Sequence, residues 1–517
     1  MKMPFLVTPT VLAMCLGLNL YAQAPQQQVP PEQAELEAAR KITDIPARLR
    51  EIQRIKIAYP NSNISYSIDL GIIVTASLTI GDLDSLIVAH NEVVNAAKPQ
   101  DRFWLLLDSS DILVSHPKMA EFSKPTLLKA VQDYKAKALK ILSSKDEMSR
   151  PPQSRNYLLP VAYKDAFEVH VAKAHLLNGN GKLAIATLEK HSENSRNAPY
   201  YLTLGEALLE QNRTKEALDA FLQVAAEGNL PARERAKDLY LKVHGTFNGF
   251  TPTLEKIMET RPFSPPEFKA PKNWKGKTVL AEVFTGSECP PCVAAGFGFD
   301  GLKEYYPSQY LVVLKYHLPI PRYDPMMNPA TKRRQDYYAI RSTPTAILDG
   351  VKPLLASGGR TASFNTFTRA KDEIDTLLTN PVDITIKATA TIEGDNVSVN
   401  CEFSKIVDKA DYHVVLAQTE EEFKGFNGIN NHKMVVRDIQ TFAPTASASV
   451  RFVIPESEEL ASTYITEWGK TAPPARISGS KWPQQNNTIN RTNLKAVVFV
   501  QDKESKQVHN AYIVDVK

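Results

Sequence analysis

The sequence predicts a multidomain chain of the α + α/β + β class: a helical region, then a region that alternates strand and helix, then a run of short antiparallel strands. Three observations predict this. Apolar residues recur at helical spacing from Ile45 to about Val243, strand and helix patterns alternate from Thr278 to about Asn380, and period-two strands follow from Pro381. At 517 residues the chain is too long for one core, since a domain typically takes about 100 to 200 residues.

Composition is that of ordinary globular protein. The 43% hydrophobic and 23% charged content supports sizeable cores, and Lys+Arg 61 against Asp+Glu 57 leaves a net charge of only +4. That balance gives no reason to expect a nucleic-acid partner or an acidic membrane surface.

Residues 1–24 read as an export signal. Lys2 precedes an apolar stretch from Val11 to Leu20, and Ala22 and Ala24 are small residues suited to cleavage. The stretch is short for a membrane span, and no later apolar run is long enough to be one. A lipoprotein reading would use Cys15, although Met14 before it is an unusual neighbour. Loss of the signal leaves Cys289, Cys292 and Cys401, too few for a disulfide-stapled scaffold. Cys401 alternates with Val397, Val399 and Phe403 on one strand face and reads as a buried, inert thiol.

A Gln- and Pro-rich linker at 25–33 leads into the helical region, 34–245, where Ile45, Leu49 and Ile52 form one stripe and Leu127, Val131, Tyr134 and Ala138 another. Lys182-Leu183-Ala184 to Leu188 is echoed 33 residues on by Lys215-Glu216-Ala217 to Phe221, near the period of tetratricopeptide repeats. In the second copy Tyr201, Leu204, Gly205, Leu208, Ala217 and Phe221 match that family's placement of bulky and small residues, so the segment resembles such a repeat. Repeats of this kind stack to bury a shared face and present a partner-binding surface; a helical scaffold without a ligand is the equal alternative.

A Pro-rich linker, 246–275, separates this region from the strand–helix region at 276–380. Thr278 to Phe284 reads as a buried strand. From Pro381 the strands Ile384–Ile392, Val397–Phe403, Tyr412–Ala417, Met434–Val436, Val450–Ile454, Leu494–Val500 and Ala511–Val516 suggest an antiparallel β-sandwich over 381–517, with a long loop from Thr471 to Thr492.

Cys289-Pro290-Pro291-Cys292 follows the buried strand and opens a helix. Unpaired N–H groups and the partial positive charge of a helix N-terminus stabilise a thiolate, which makes Cys289 the expected nucleophile and Cys292 the resolving thiol. Two prolines suit a first helical turn, where their missing donors cost little. Zinc normally needs a second cysteine pair or well-spaced histidines, and no second Cys-x-x-Cys exists. Glu282, a carboxylate in an apolar strand, is a candidate to move the proton of Cys292; a strand-end residue facing solvent is the alternative.

Glu282-Val283-Phe284-Thr285-Gly286, the cysteine pair, Tyr316-His317, Asp324-Pro325-Met326, Thr343-Pro344-Thr345 and Asp349-Gly350 together resemble exported thioredoxin-like proteins of Gram-negative bacteria. In particular they are similar to the twenty-eight-kilodalton outer-membrane-protein family, and Asn431 to Arg437 resembles a strand of that family's C-terminal sandwich. The resemblance covers about half the chain. It implies thiol-disulfide exchange on protein thiols or disulfides, with no cofactor beyond the redox-active disulfide Cys289–Cys292, and a periplasmic or outer-membrane-associated location. Cys289 would be nucleophile, Cys292 resolving thiol and Pro344 the cis-proline on the substrate side, cis geometry costing little only at proline. Two departures stand out. The loop from Glu282 to Cys289 is one residue longer than in thioredoxins, and Gly296 and Gly298 weaken the helix after the pair by about 1 kcal/mol each, the mark of a kinked or close-packed helix. Relative to a minimal thioredoxin, Leu318 to Asn328 is an insertion. With His317, Asp324, Met326 and Met327 nearby, the alternative is a copper-type metallochaperone binding through Cys289, Cys292 and His317. A non-catalytic envelope interaction protein is the third reading.

Overall fold

The computed structural model describes residues 30–119, 121–143, 160–191, 196–480 and 487–517. The export signal, Cys15 and most of the 25–33 linker lie outside them. The chain divides into two compact units that meet in sequence between Phe221 and Leu222.

The first unit is helical: α1 (Pro31–Arg40), α2 (Ile45–Ala58), α3 (Ser65–Thr79), α4 (Leu83–Ala96), α5 (Pro99–Ser115), α6 (Lys124–Ser143), α7 (Pro160–Leu177), α8 (Gly181–Leu188), α9 (Ala198–Glu210) and α10 (Thr214–Ala225), the last running across the division. Asp44, Asp82 and Asn197 cap α2, α4 and α9 by accepting from backbone N–H groups. The stripe Leu127, Val131, Tyr134 and Ala138 is buried on α6 with Leu86, Phe103, Leu105 and Phe167. Gly205 explains its own residue type, since a Cβ there would lie 2.7 Å from the Phe221 ring. Helices α9 and α10 can approach this closely only with glycine at that position.

The second unit begins with α11 (Leu230–His244) and α12 (Phe250–Glu259). Helix α12 corrects the expectation of an irregular linker from residue 246. Pro252 falls in its first turn, where no intrahelical donor is needed, and Phe250 and Leu254 are buried beneath it.

Beyond it come β1 (Val279–Thr285), a 3-10 turn at Pro290–Cys292, α13 (Val293–Tyr305), β2 (Leu311–His317), α14 (Pro329–Tyr337), β3 (Thr345–Leu348), β4 (Lys352–Leu354) and α15 (Ser363–Leu377). The rest comprises β5 (Ile386–Glu393), β6 (Asn396–Phe403), β7 (Ala410–Glu422), β8 (Asn431–Phe442), β9 (Ser447–Val453), α16 (Ile454–Thr471), α17 (Pro474–Ile477), β10 (Leu494–Asp502) and β11 (Val508–Asp515).

Strands from both sides of residue 381 share one eight-stranded sheet, ordered β11-β10-β7-β8-β2-β1-β3-β4, while β5-β6-β9 form a second sheet. The large sheet is mixed. β1 and β2 are parallel, β3 is antiparallel to β1, and β8 joins β2 in parallel through Lys315 and Val435. Asn328 fastens that seam by donating from Nδ2 to the Val436 carbonyl at 2.8 Å.

Alternation decides what each face covers. Val279, Ala281 and Val283 pack against α13 and α15 through Phe299, Leu302, Phe367 and Ile374. On the other face Leu280 and Phe284 join Val415, Met434 and Phe499. Val414, Leu416 and Val498 meet the second sheet through Val397, Val399 and Cys401. Cys401 is thus the buried thiol expected of it, and burial pushes its pKa up to about 11.

Candidate functional site

The site forms where β1 ends and α13 begins. Cys289 and Cys292 are joined in a disulfide with Cα atoms 5.3 Å apart. The Cys289 N–H donates to the Gly286 carbonyl at 3.2 Å and the Cys292 N–H to the Cys289 carbonyl at 3.0 Å, which holds the pair in a tight turn. Gly358 pins the turn from the side, donating to the Pro291 carbonyl at 2.9 Å and accepting from the Ala294 N–H at 3.0 Å.

Helix α13 keeps its glycines because it is close-packed. Cβ atoms at Gly296, Gly298 and Gly301 would lie 2.5 Å from Ile429 Cδ1, 2.8 Å from Thr366 Cγ2 and 2.8 Å from the Phe263 ring. This is the second of the two expectations raised by the glycine-rich sequence.

Pro344 follows a cis peptide bond from Thr343. The Thr343 hydroxyl, with one proton to give, stands 3.4 Å from Cys289 Sγ and 2.8 Å from the Ile320 carbonyl and donates to one of them at a time. The residue before the proline is therefore the one that touches the sulfur, a contact that the Ser-Thr-Pro-Thr run signals only through its proline.

Glu282 is placed differently from expectation. It sits between Leu280 and Phe284 on the face turned away from α13, so the strand does not aim it at Cys292. Its two oxygens accept from Arg334 at 2.8 and 2.7 Å, and Tyr338 donates to it at 2.6 Å. Arg334 in turn donates to Gln501 at 3.0 Å. With Glu282 and Arg334 both buried, this is an ion pair satisfied by fork geometry.

His317 ends β2 two residues after Lys315, whose ammonium pairs with Asp300 of α13 at 2.7 Å, so His317 faces the helix side. Its Nδ1 is 3.0 Å from Asp324 Oδ2, and the same oxygen accepts from the Ser287 N–H at 2.6 Å, two residues before Cys289. Burial pushes the Asp324 pKa upward, but the His317 charge and hydrogen bond and the Ser287 and Met326 amides outweigh it, leaving the carboxyl below its ordinary value. His317 Nε2 is buried without a hydrogen-bond partner, and its ring stands 5.1 Å from that of His432. Burial, reinforced by His317, drops the His432 pKa to about 3. Met326 packs with Phe423 and Val435, and Met327 with Tyr323 and Ile465. Among the described residues no group of three or more His, Cys, Asp or Glu side chains could hold a metal ion, and none of their helices is long and apolar enough to cross a membrane.

No protein-family model matches the chain, and no curated protein matches it. Among solved structures it is similar to a crystal structure of an Agrobacterium tumefaciens protein, at 17% identity and a TM-score of 0.30, over 46% of this chain and 95% of that one. At that overlap the likeness carries no inference about fold or activity.

Proposed function

We propose that this chain carries out thiol-disulfide exchange through Cys289 and Cys292, with protein thiols or disulfides as substrate. The observation that carries the reading is the Cys289–Cys292 disulfide at the start of a buried helix, with the Thr343 hydroxyl 3.4 Å from Cys289 Sγ beside cis-Pro344. A hydroxyl donor and a helix N-terminus both favour a thiolate over a thiol at Cys289. We read the strand–helix part as thioredoxin-like, the strand-rich part as a β-sandwich, and the helical unit as a repeat arm; the arm and the sandwich dock partners, in an exported, periplasmic or outer-membrane-associated protein.

From the oxidised state, a client thiolate attacks Cys289 Sγ. The Cys289–Cys292 bond breaks, Cys292 leaves as a thiolate that takes up a proton, and Cys289 is joined to the client. A second client thiol loses its proton and attacks the client sulfur, so that Cys289 leaves as a thiolate and takes up a proton. The client ends as a disulfide, the protein as a dithiol, and two electrons have passed from client to protein. Reduced protein and a client disulfide run the same steps backward.

Replacing Cys292 with serine removes the resolving thiol. Reduced Cys292→Ser protein should accumulate mixed disulfides with client disulfides through Cys289, visible as adducts on non-reducing gels and mass spectra. Failure of Cys289 to form adducts, or adducts at Cys401 alone, would reject the reading.

A further inference from the structure

The hairpin joining β7 to β8 turns at Phe423–Asn430, and this turn touches the chain on both sides of the cysteine pair. Before the pair, the Asn427 N–H donates to the Ser287 carbonyl at 3.1 Å and its Nδ2 to the Gly286 carbonyl at 3.1 Å, while its Oδ1 accepts from the Ile429 N–H at 3.0 Å. Gly286 is also the residue whose carbonyl receives the Cys289 N–H. After the pair, Ile429 packs on Val293 and Phe297 and fills the space over Gly296.

The outer edge of the turn closes on a second segment. Phe426, 60% exposed, lies with its ring centroid 5.9 Å from the Arg322 guanidinium, and Arg322 belongs to the segment whose Ile320 carbonyl receives the Thr343 hydroxyl. Between these two segments neither cysteine has exposed surface, each being 0% accessible. A nucleophile that must reach a sulfur in a client protein is normally open to solvent.

The turn is bonded within itself, the Gly425 N–H donating to the Ile429 carbonyl and the Gly428 N–H to the Gly425 carbonyl, each at 3.1 Å. Gly425 and Gly428 bracket Phe426 and Asn427, and Gly428 has φ +87°. The turn's attachment to α12 combines exposed polar contacts, Lys424 to Glu255 at 2.6 Å and Asn430 to Glu259, which contribute little, with the Met258 side chain against Gly428.

We infer that the Phe423–Asn430 turn is the gate of the cysteine pair, with Asn427 as its latch: a disulfide partner, protein or small molecule, reaches Cys289 only when the turn swings away. The inference rests on the thiol-exchange reading. Asn427 acts through the Gly286–Ser287 backbone and is a positioning residue, not a catalytic one.

The test uses the full-length chain carrying Cys292→Ser. Rates of mixed-disulfide formation at Cys289 are measured with oxidised glutathione and with disulfide-scrambled ribonuclease, with and without Asn427→Ala. Both rates should rise about tenfold in the Asn427→Ala protein, as expected when opening of a closed loop limits access. Unchanged rates overturn the gate. Reaction with neither probe, with or without the Asn427 change, sinks the exchange reading, and the gate with it. Should Asn427→Ala fail to fold, amide hydrogen exchange over residues 425–430 decides: protection present in the parent should be lost in both adducts. Protection kept in either adduct overturns the inference.

Discussion

Glu282 shows most directly how a single residue separates stability from chemistry. Its type and its place before the cysteine pair suggest a proton carrier, yet its side chain is turned from α13 and held by Arg334 and Tyr338. Removing one partner of a buried ion pair leaves the other charge uncompensated, at a cost of about 3 to 5 kcal/mol. We expect Glu282→Ala to lose stability on that scale, measured by urea unfolding, while adduct formation at Cys289 in the folded protein changes little. Loss of exchange with unchanged stability would instead make Glu282 a participant in the chemistry. The residues that form and position the cysteine pair were only partly legible in the sequence. Cys289, Cys292 and Pro344 announce themselves by spacing and by the chemistry of thiol and proline. Thr343 and Asn427 do not, because a threonine or an asparagine acquires such a role only when a distant segment brings a sulfur or a carbonyl to it.

At the scale of elements, local pattern and non-local pairing divide what can be read. The strand Val279–Thr285, the helix behind the pair and the period-two strands from residue 386 onward follow from local patterns. The parallel seam between β2 and β8 leaves no such mark, since Lys315 and Val435 are 120 residues apart and their pairing depends on the whole sheet. Helix α12 was hidden by its proline, and α16 by the strands around it. Gly350 is an element-scale constraint of the same kind. It has φ +79°, and a Cβ there would lie 1.9 Å from the Lys506 carbonyl oxygen, where the β3–β4 turn meets the β10–β11 turn. Backbone cannot yield as a flexible side chain can, so Gly350→Ala should cost more than about 2 kcal/mol. A lowered urea midpoint checks this; a midpoint equal to the parent's would mean the two turns are not in contact.

At the scale of the molecule, the second unit is organised around one mixed sheet. Strands β7, β8, β10 and β11 extend the sheet that carries the cysteine pair, so the β7–β8 turn reaches the site through the sheet's own geometry. A chain with separate cores on either side of residue 381 would have no such fixed relation between its strand-rich part and its thiols. If Cys289 and Cys292 form an exchangeable couple, equilibrium with glutathione reveals it. Full-length protein held in buffers of graded reduced-to-oxidised glutathione, then trapped by alkylation, should pass reversibly between disulfide and dithiol at Cys289 and Cys292. That two-electron transition should change tenfold in equilibrium constant for about 30 mV, with Cys401 unmodified throughout. A pair that stays fully oxidised, or fully reduced, across the whole series would not be an exchangeable couple.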